Sequence, residues 1–321
     1  MTYNLPLGYM RSNNNVTNYR SDQPAAGIGL QVQLLKRATL PLQVLFKFYN
    51  DFALRILYDF GNRGLTGETW TNADTETGYD VNDLNNDIVE NIWRTEDDIN
   101  STALYLDSEY PQGILVDTLC ILNHNLTQNA TITWESSPNP SFLVEVETIE
   151  LEITPNNIYW IAPTLPNYQH RYHRFFINDS GKVLSTDYIS IGTILMGNSF
   201  VMHNEDIVDR ITFGHKEFAD KVETEGYDNI TNSRALKRNI IVDFMSINYT
   251  GPNYSVLNNI FTTYRTSLKT MWIPTPSSTD QTLTDRFAVF GKMASMPSQT
   301  HNYKGPNEQY IDFTVEVDES L

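Results

Sequence analysis

The chain reads as a mainly β protein, with a sandwich or jelly-roll unit followed by a second β unit that carries one packed helix. Three observations lead there. Tyr and Phe number 18 and 15, a weighting toward side chains that suit a pleated, half-buried surface. Short apolar runs are separated throughout by Gly, Pro, Asn, Asp, Ser and Thr, the pattern of a chain with many turns. From Leu115 onward such runs recur about every ten residues, as in sandwiches and jelly rolls.

Three segments follow from a pass along the chain: residues 1–65, 66–200 and 201–321. Residues 1–28 are polar and turn-rich, an extended arm on this pattern. LQVQLL (30–35) and LQVLFKFY (42–49) read as strands, while 51–59 fits a helical turn or a strand. Residues 71–110 hold eleven acidic residues against the single Arg94, with aromatic anchors at Tyr79, Trp93 and Tyr105. That stretch reads as loop-rich. Leu115–Leu122 is apolar on both alternating faces, so it reads as a strand buried on both sides. Strands at 131–135 and 149–153 alternate apolar with polar residues. Further strands are expected at 157–162, 171–177 and 187–196, with Asn178–Gly181 as the turn between the last two.

Beyond Gly197, strand-like runs at 207–213, 238–247, 284–290 and 309–317 surround one helix. That helix starts at Thr250-Gly251-Pro252, with proline at an early helical position. Val256, Ile260, Tyr264 and Leu268 form its apolar stripe, widened by Leu257 and Phe261. MWIPTPSSTD ends it.

The formal charge of −17, from 39 acidic and 22 basic residues, sets the chain against phosphate backbones and anionic membrane surfaces. No apolar run reaches the roughly 18 residues of a membrane span. MTYNLPLGYMRSNNN lacks the basic and apolar regions of a signal peptide. One cysteine gives no internal disulfide framework. The N-x-[ST] triplets at Asn15, Asn125, Asn129, Asn248 and Asn253 are what an Asn- and Thr-rich chain produces without glycosylation.

No residue set carries a recognisable catalytic pattern, so a non-enzymatic protein without cofactor or metal is expected. His170 and His173 are the only close histidine pair, and three positions along a strand place them on opposite faces. The acidic run from Asp80 to Asp87 lacks the regular spacing of a calcium loop. Cys120 sits in the doubly buried strand, where a thiol behaves as a small hydrophobe. His124 and Asn125 follow that strand directly. An imidazole and amides at a strand end can bond neighbouring backbone groups and lock a tight corner.

The order of elements around this corner resembles a discoidin-like jelly-roll module of bacteriophage tail proteins. The residues that carry the likeness are Val116–Leu126 with Ala130–Thr133, the upstream Gly78-Tyr79 and Trp93, and the downstream Arg171–Ile177 and Tyr188–Gly197. They span about residues 70–200. The later succession of Ile211–Gly214, a strand opened by Arg238, a helix and Phe290-Gly291 is similar to C-terminal segments of such proteins. It also resembles the barrel of tail-tube and distal-tail proteins, by fold analogy.

The resemblance implies a virion component of a tail tip, baseplate or tail ring, made in the host cytoplasm. Its expected partners are other tail proteins and copies of itself in a homo-oligomeric ring. The alternative it implies is a carbohydrate-binding adsorption module that recognises host surface glycans. Discoidin-like folds bind sugars through loops at one end, and here those loops carry Trp70, Tyr79 and Trp93, residues suited to stacking on a sugar.

Overall fold

The structure is a computed structural model. It describes residues 7–12, 15–20, 29–35, 43–49, 54–60, 69–85, 88–162, 169–202, 208–223, 229–274, 281–305 and 308–320. β1 (Leu7–Ser12) and β2 (Asn15–Arg20) form an antiparallel pair. β1 also lies parallel to β3 (Gly29–Leu35), which pairs antiparallel with β4 (Gln43–Tyr49). Within the stretch expected to be an extended arm, residues 7–20 therefore form a hairpin tied into a four-stranded sheet. β5 (Leu54–Phe60) belongs to the main sheet described below. The expected boundary at residues 65 and 66 lies outside the described residues.

The first unit comprises β6 (Thr69–Thr71), β7 (Trp93–Arg94), β8 (Ser101–Asp107), β9 (Ile114–Leu115), β10 (Thr118–His124), β11 (Ala130–Ser137), β12 (Glu147–Leu151), β13 (Asn157–Ile161), β14 (Gln169–His170), β15 (Tyr172–Asp179) and β16 (Ser190–Met202). An antiparallel sheet in the order β12–β11–β15–β8–β6 packs on β13–β10–β16. This is an antiparallel β-sandwich, mainly β as its composition implies. Alternation builds it: Thr102, Leu104 and Leu106 of β8 point inward, as do Ile132 and Trp134 of β11 and Phe175 and Ile177 of β15. β10 is buried on both faces. Leu119 and Ile121 join the sandwich core, while Cys120 and Leu122 join a second cluster on the outer face.

The second unit adds β17 (Val208–Glu223), β18 (Asn229–Asn248), α1 (Pro252–Tyr264), β19 (Thr270–Ile273), α2 (Gln281–Phe287), β20 (Val289–Met293), β21 (Gln299–Gly305) and β22 (Glu308–Glu319). One sheet runs through both units in the order β13–β10–β16–β5–β19–β20–β22–β18–β17, with β21 beside β22. The expected boundary at residue 200 falls inside β16. That strand pairs with β10 along its first half and with β5 along its second.

α1 starts with Gly251 as its cap and Pro252 in its first turn. It buries Leu257, Ile260 and Phe261 on the sheet, and Phe261 meets Phe313 edge-on at 5.3 Å. The helix ends at Arg265, whose φ of 50° leaves helical geometry. Leu268 is exposed beyond it rather than part of the buried stripe. Two expectations are corrected here. Met271-Trp272-Ile273 is a fully buried strand, not a helix terminator. Thr284–Phe287 belongs to a second helix, closed by the Ala288 amide donating to the Thr284 carbonyl at 2.8 Å. Strand structure begins only at Val289, where the burial becomes continuous.

A buried polar knot ties the junction. Asp117 accepts from the Ser199 amide at 2.8 Å, the Thr118 hydroxyl at 2.8 Å and the Ser199 hydroxyl at 3.1 Å. Arg55 from β5 reaches Asp117 at 3.4 Å and Ser199 at 3.0 Å. A buried carboxylate is tolerable only when paired and hydrogen-bonded in this way.

Candidate functional site at the junction of the two units

β10 ends in a corner built by its own side chains. Asn123 takes φ of 55°, a left-handed conformation that asparagine tolerates better than most residues. Its amide nitrogen donates to Asn157 Oδ1 at 3.1 Å, and its Nδ2 donates to the Val89 carbonyl at 2.9 Å. Asn125 Nδ2 donates to the Tyr188 carbonyl, and its Oδ1 accepts from the Ser190 amide, both at 2.9 Å. His124 Nδ1 accepts from the Leu126 amide at 3.2 Å. Gly192 lets the Val89 strap cross β16, because a Cβ there would stand 2.4 Å from the Val89 carbonyl oxygen.

Beside this corner, where α2 packs against β13, lies a cavity of about 440 Å³. Leu122, Met271 and Phe290 supply its apolar lining. Asn123, Asn156 and Asn157 add amides, and Tyr159 lies beneath with its hydroxyl pKa raised by burial. The volume lies in the range that holds small ligands, and its wall is polar and apolar in similar measure.

The charged groups come from four separate elements. Arg238 of β18 donates from its backbone amide to Glu319 Oε2 at 2.8 Å and from Nε to Oε1 at 2.7 Å. A third bond runs from its Nη1 to the Asp285 carbonyl at 2.8 Å. The Asp285 carboxylate of α2 accepts from Asn157 Nδ2 at 2.7 Å and Asn156 Nδ2 at 3.4 Å. Glu90 is exposed at the rim.

His124 is only 8% exposed, and its Nε2 is shielded from solvent beside the Thr154 backbone. Since Nδ1 accepts a bond, Nε2 carries the proton of the neutral ring. Burial lowers the His124 pKa, against the Thr154 backbone hydrogen bond and the pull of Asp285 and Asp179.

The residues singled out from the sequence are dispersed. Trp70 and Trp93 are 1% and 0% exposed and sit in the sandwich core, so neither offers a face to a sugar. That corrects the stacking role expected for them. Trp70 Nε1 bonds Asn85 Oδ1, and Trp93 Nε1 donates to Thr75 Oγ1 at 2.9 Å. Tyr79 is half-buried, with the Arg94 guanidinium 5.1 Å from its ring. Arg94 also stacks on Tyr188 at 3.8 Å and bridges Glu76 and Asp97. Tyr105, expected as an anchor, is exposed on the outer face of β8.

His173 is fully buried, its Nε2 meeting the His170 carbonyl at 3.1 Å, while His170 Nδ1 meets Ser136 Oγ at 3.0 Å. Cys120 is buried, and burial pushes its thiol pKa up, away from nucleophilic chemistry.

Asn157, Arg238, Asp285 and Glu319 went unnoticed as a group in the sequence. They are far apart in the chain and share no spacing. Of the corner singled out from the sequence, His124 lines the cavity and Asn125 does not.

No protein-family model matches the chain, and no curated protein matches it. Several solved structures are similar over less than half of it. One is a GH29 fucosidase of Ruminococcus gnavus solved with fucose, at 12% identity, 44% of this chain, 27% of that one and a TM-score of 0.36. Another is CpGH89CBM32-4 of Clostridium perfringens, at 12% identity, 44% of this chain, 100% of that one and a TM-score of 0.33. A third is the C-terminal domain of a chitobiase from Bacteroides fragilis, at 14% identity, 42% of this chain, 95% of that one and a TM-score of 0.31.

Proposed function

We propose that this chain is a non-catalytic glycan-binding protein whose saccharide site is the junction cavity. The observation that carries the reading is the wall chemistry. Three asparagine amides, an aspartate and an arginine–glutamate pair surround an apolar lining of Leu122, Met271 and Phe290. Sugars present hydroxyls that both donate and accept along with apolar C–H faces, and this wall offers partners for each. About 440 Å³ accommodates one or two sugar rings. The test is a titration of soluble disaccharides followed by NMR on the wild-type chain and on Asn157→Ala. Binding weakened about tenfold or more by the substitution supports the reading, and absence of binding to any saccharide overturns it.

A second reading, assembly in a virion tail through contacts with neighbouring subunits, has its own support. The β17–β18 ladder continues past the point where β22 stops. His215–Glu223 and Asn229–Arg238 pair only with each other among the described residues. A two-stranded ribbon with open edges is a ready template for pairing with another chain. Native mass measurement at rising concentration tests it. A closed oligomer lost when residues 217–236 are shortened supports assembly, and a monomer at every concentration speaks against self-assembly.

A further inference from the structure

We infer that the cavity selects saccharides carrying a free amino group, such as a glucosamine unit, over neutral and N-acetylated sugars. This rests on the proposed glycan site and specifies its ligand. The facing charges are Glu90, Asp285, Glu319 and Arg238. Arg238 is fully committed, with Nε and Nη2 on Glu319 and Nη1 on the Asp285 carbonyl. That pairing commits the one lining guanidinium chiefly to Glu319.

Asp285 is held only by the neutral amides of Asn156 and Asn157. Glu90 has no hydrogen bond or ion pair to the described residues. Asp285 and Glu90 therefore share a wall whose single guanidinium is already bound to Glu319, so that its three carboxylates exceed its one cation by two. A neutral sugar entering the cavity would strip water from both without replacing it, which costs free energy. An ammonium group would instead supply a charge-assisted hydrogen bond and neutralise part of the excess. The ring hydroxyls keep the asparagine amides.

The acetyl group of an N-acetyl sugar removes the charge and adds bulk, so such sugars lose the advantage. The carboxylates also reject acidic sugars by repulsion. The selectivity thus follows from the charge balance of the wall, whereas saccharide binding itself follows from its amides.

The test uses the full chain and three β-1,4 disaccharides on one scaffold, at about pH 6.5, where an amine of this kind is protonated. They are the glucosamine disaccharide, its N-acetylated form and the glucose disaccharide, with spermidine as a non-sugar cation. NMR titration is expected to show the glucosamine disaccharide binding about tenfold more tightly than the other two. Glu90→Gln, at an exposed position where folding is not at stake, and Asp285→Asn should each reduce that preference several-fold.

Equal binding of all three disaccharides would overturn the amine selectivity and leave the glycan site standing. Spermidine binding as tightly as the amino sugar would overturn it in favour of a site for cations. No binding by any disaccharide would remove both readings.

Discussion

Replacing Trp93 by alanine is expected to cost roughly 3–5 kcal/mol of stability, because its ring is fully buried and its Nε1 bond to Thr75 is lost as well. Urea unfolding measures this, and a loss below about 1 kcal/mol would contradict its place in the core. The same calculation explains why its role was hard to read from sequence. A tryptophan among acids and asparagines looks the same in the one-letter code whether it faces water or the core. What decides is the partner strand, and β16, which pairs with β7 through Ile191, lies about a hundred residues away.

His173 carries a pH signature. Burial pushes it from 6.5 down to about 3. Below about pH 6.5 the unfolded chain takes up a proton that the folded chain refuses. Stability contributed here is therefore complete above that value and falls by about 1.4 kcal/mol per pH unit on the way down. Urea midpoints between pH 7 and 5 check it, since most carboxylates stay ionised there. A profile that stays flat, or that rises as pH falls, would contradict the burial.

At the scale of elements, the doubly buried character of β10 was legible, although the strand starts at Thr118 rather than Leu115 and runs on through His124. Its doubly apolar alternation forces burial on both faces, and the structure places one face in the sandwich core and the other under the second unit. α1 was legible through Pro252 and its stripe. α2 was not, because Thr-Asp-Arg-Phe followed by Ala-Val-Phe also fits the end of a strand. Its helical turn is fixed by packing on β13, a contact that no local pattern announces.

Two substitutions probe how these elements are joined. Asp117→Ala removes the acceptor for Thr118, Ser199 and Arg55 and leaves the guanidinium half-buried without its anion. It is expected to cost about 3–5 kcal/mol. Gly291→Ala drives a Cβ to 2.0 Å from the Asp318 carbonyl oxygen where β20 meets β22. That clash is with backbone, so a loss of at least ~1–3 kcal/mol is expected. Thermal melts of each variant check both values, and an unchanged melting temperature in either would contradict the packing described.

For the whole molecule, the sheet that passes through both units has a consequence. β16 and β5 belong to each, so a cut near residue 200 breaks a strand rather than a linker. The fragment 66–200 lacks the β5 partner of Gly197, Asn198 and Phe200, and it also exposes Cys120 and Leu122 on the outer face of β10. It is expected to be less soluble and less stable than the full chain, as measured by sedimentation and urea unfolding.

The cavity exists at this scale only. Its walls need β10, β13, β18, β19, α2, β20 and β22 together, whereas the family resemblance pointed to the loop aromatics Trp70, Tyr79 and Trp93.

The most direct measurement is an NMR titration of the labelled full chain with a mixture of disaccharides, reading which backbone amides shift. Binding at the junction is expected to move Asn123, His124, Asn157 and Asp285 together, with Asn157→Ala weakening the response. Shifts gathered instead around Tyr79, Arg94 and Tyr188, or no shifts at millimolar sugar, would contradict a glycan site in the cavity.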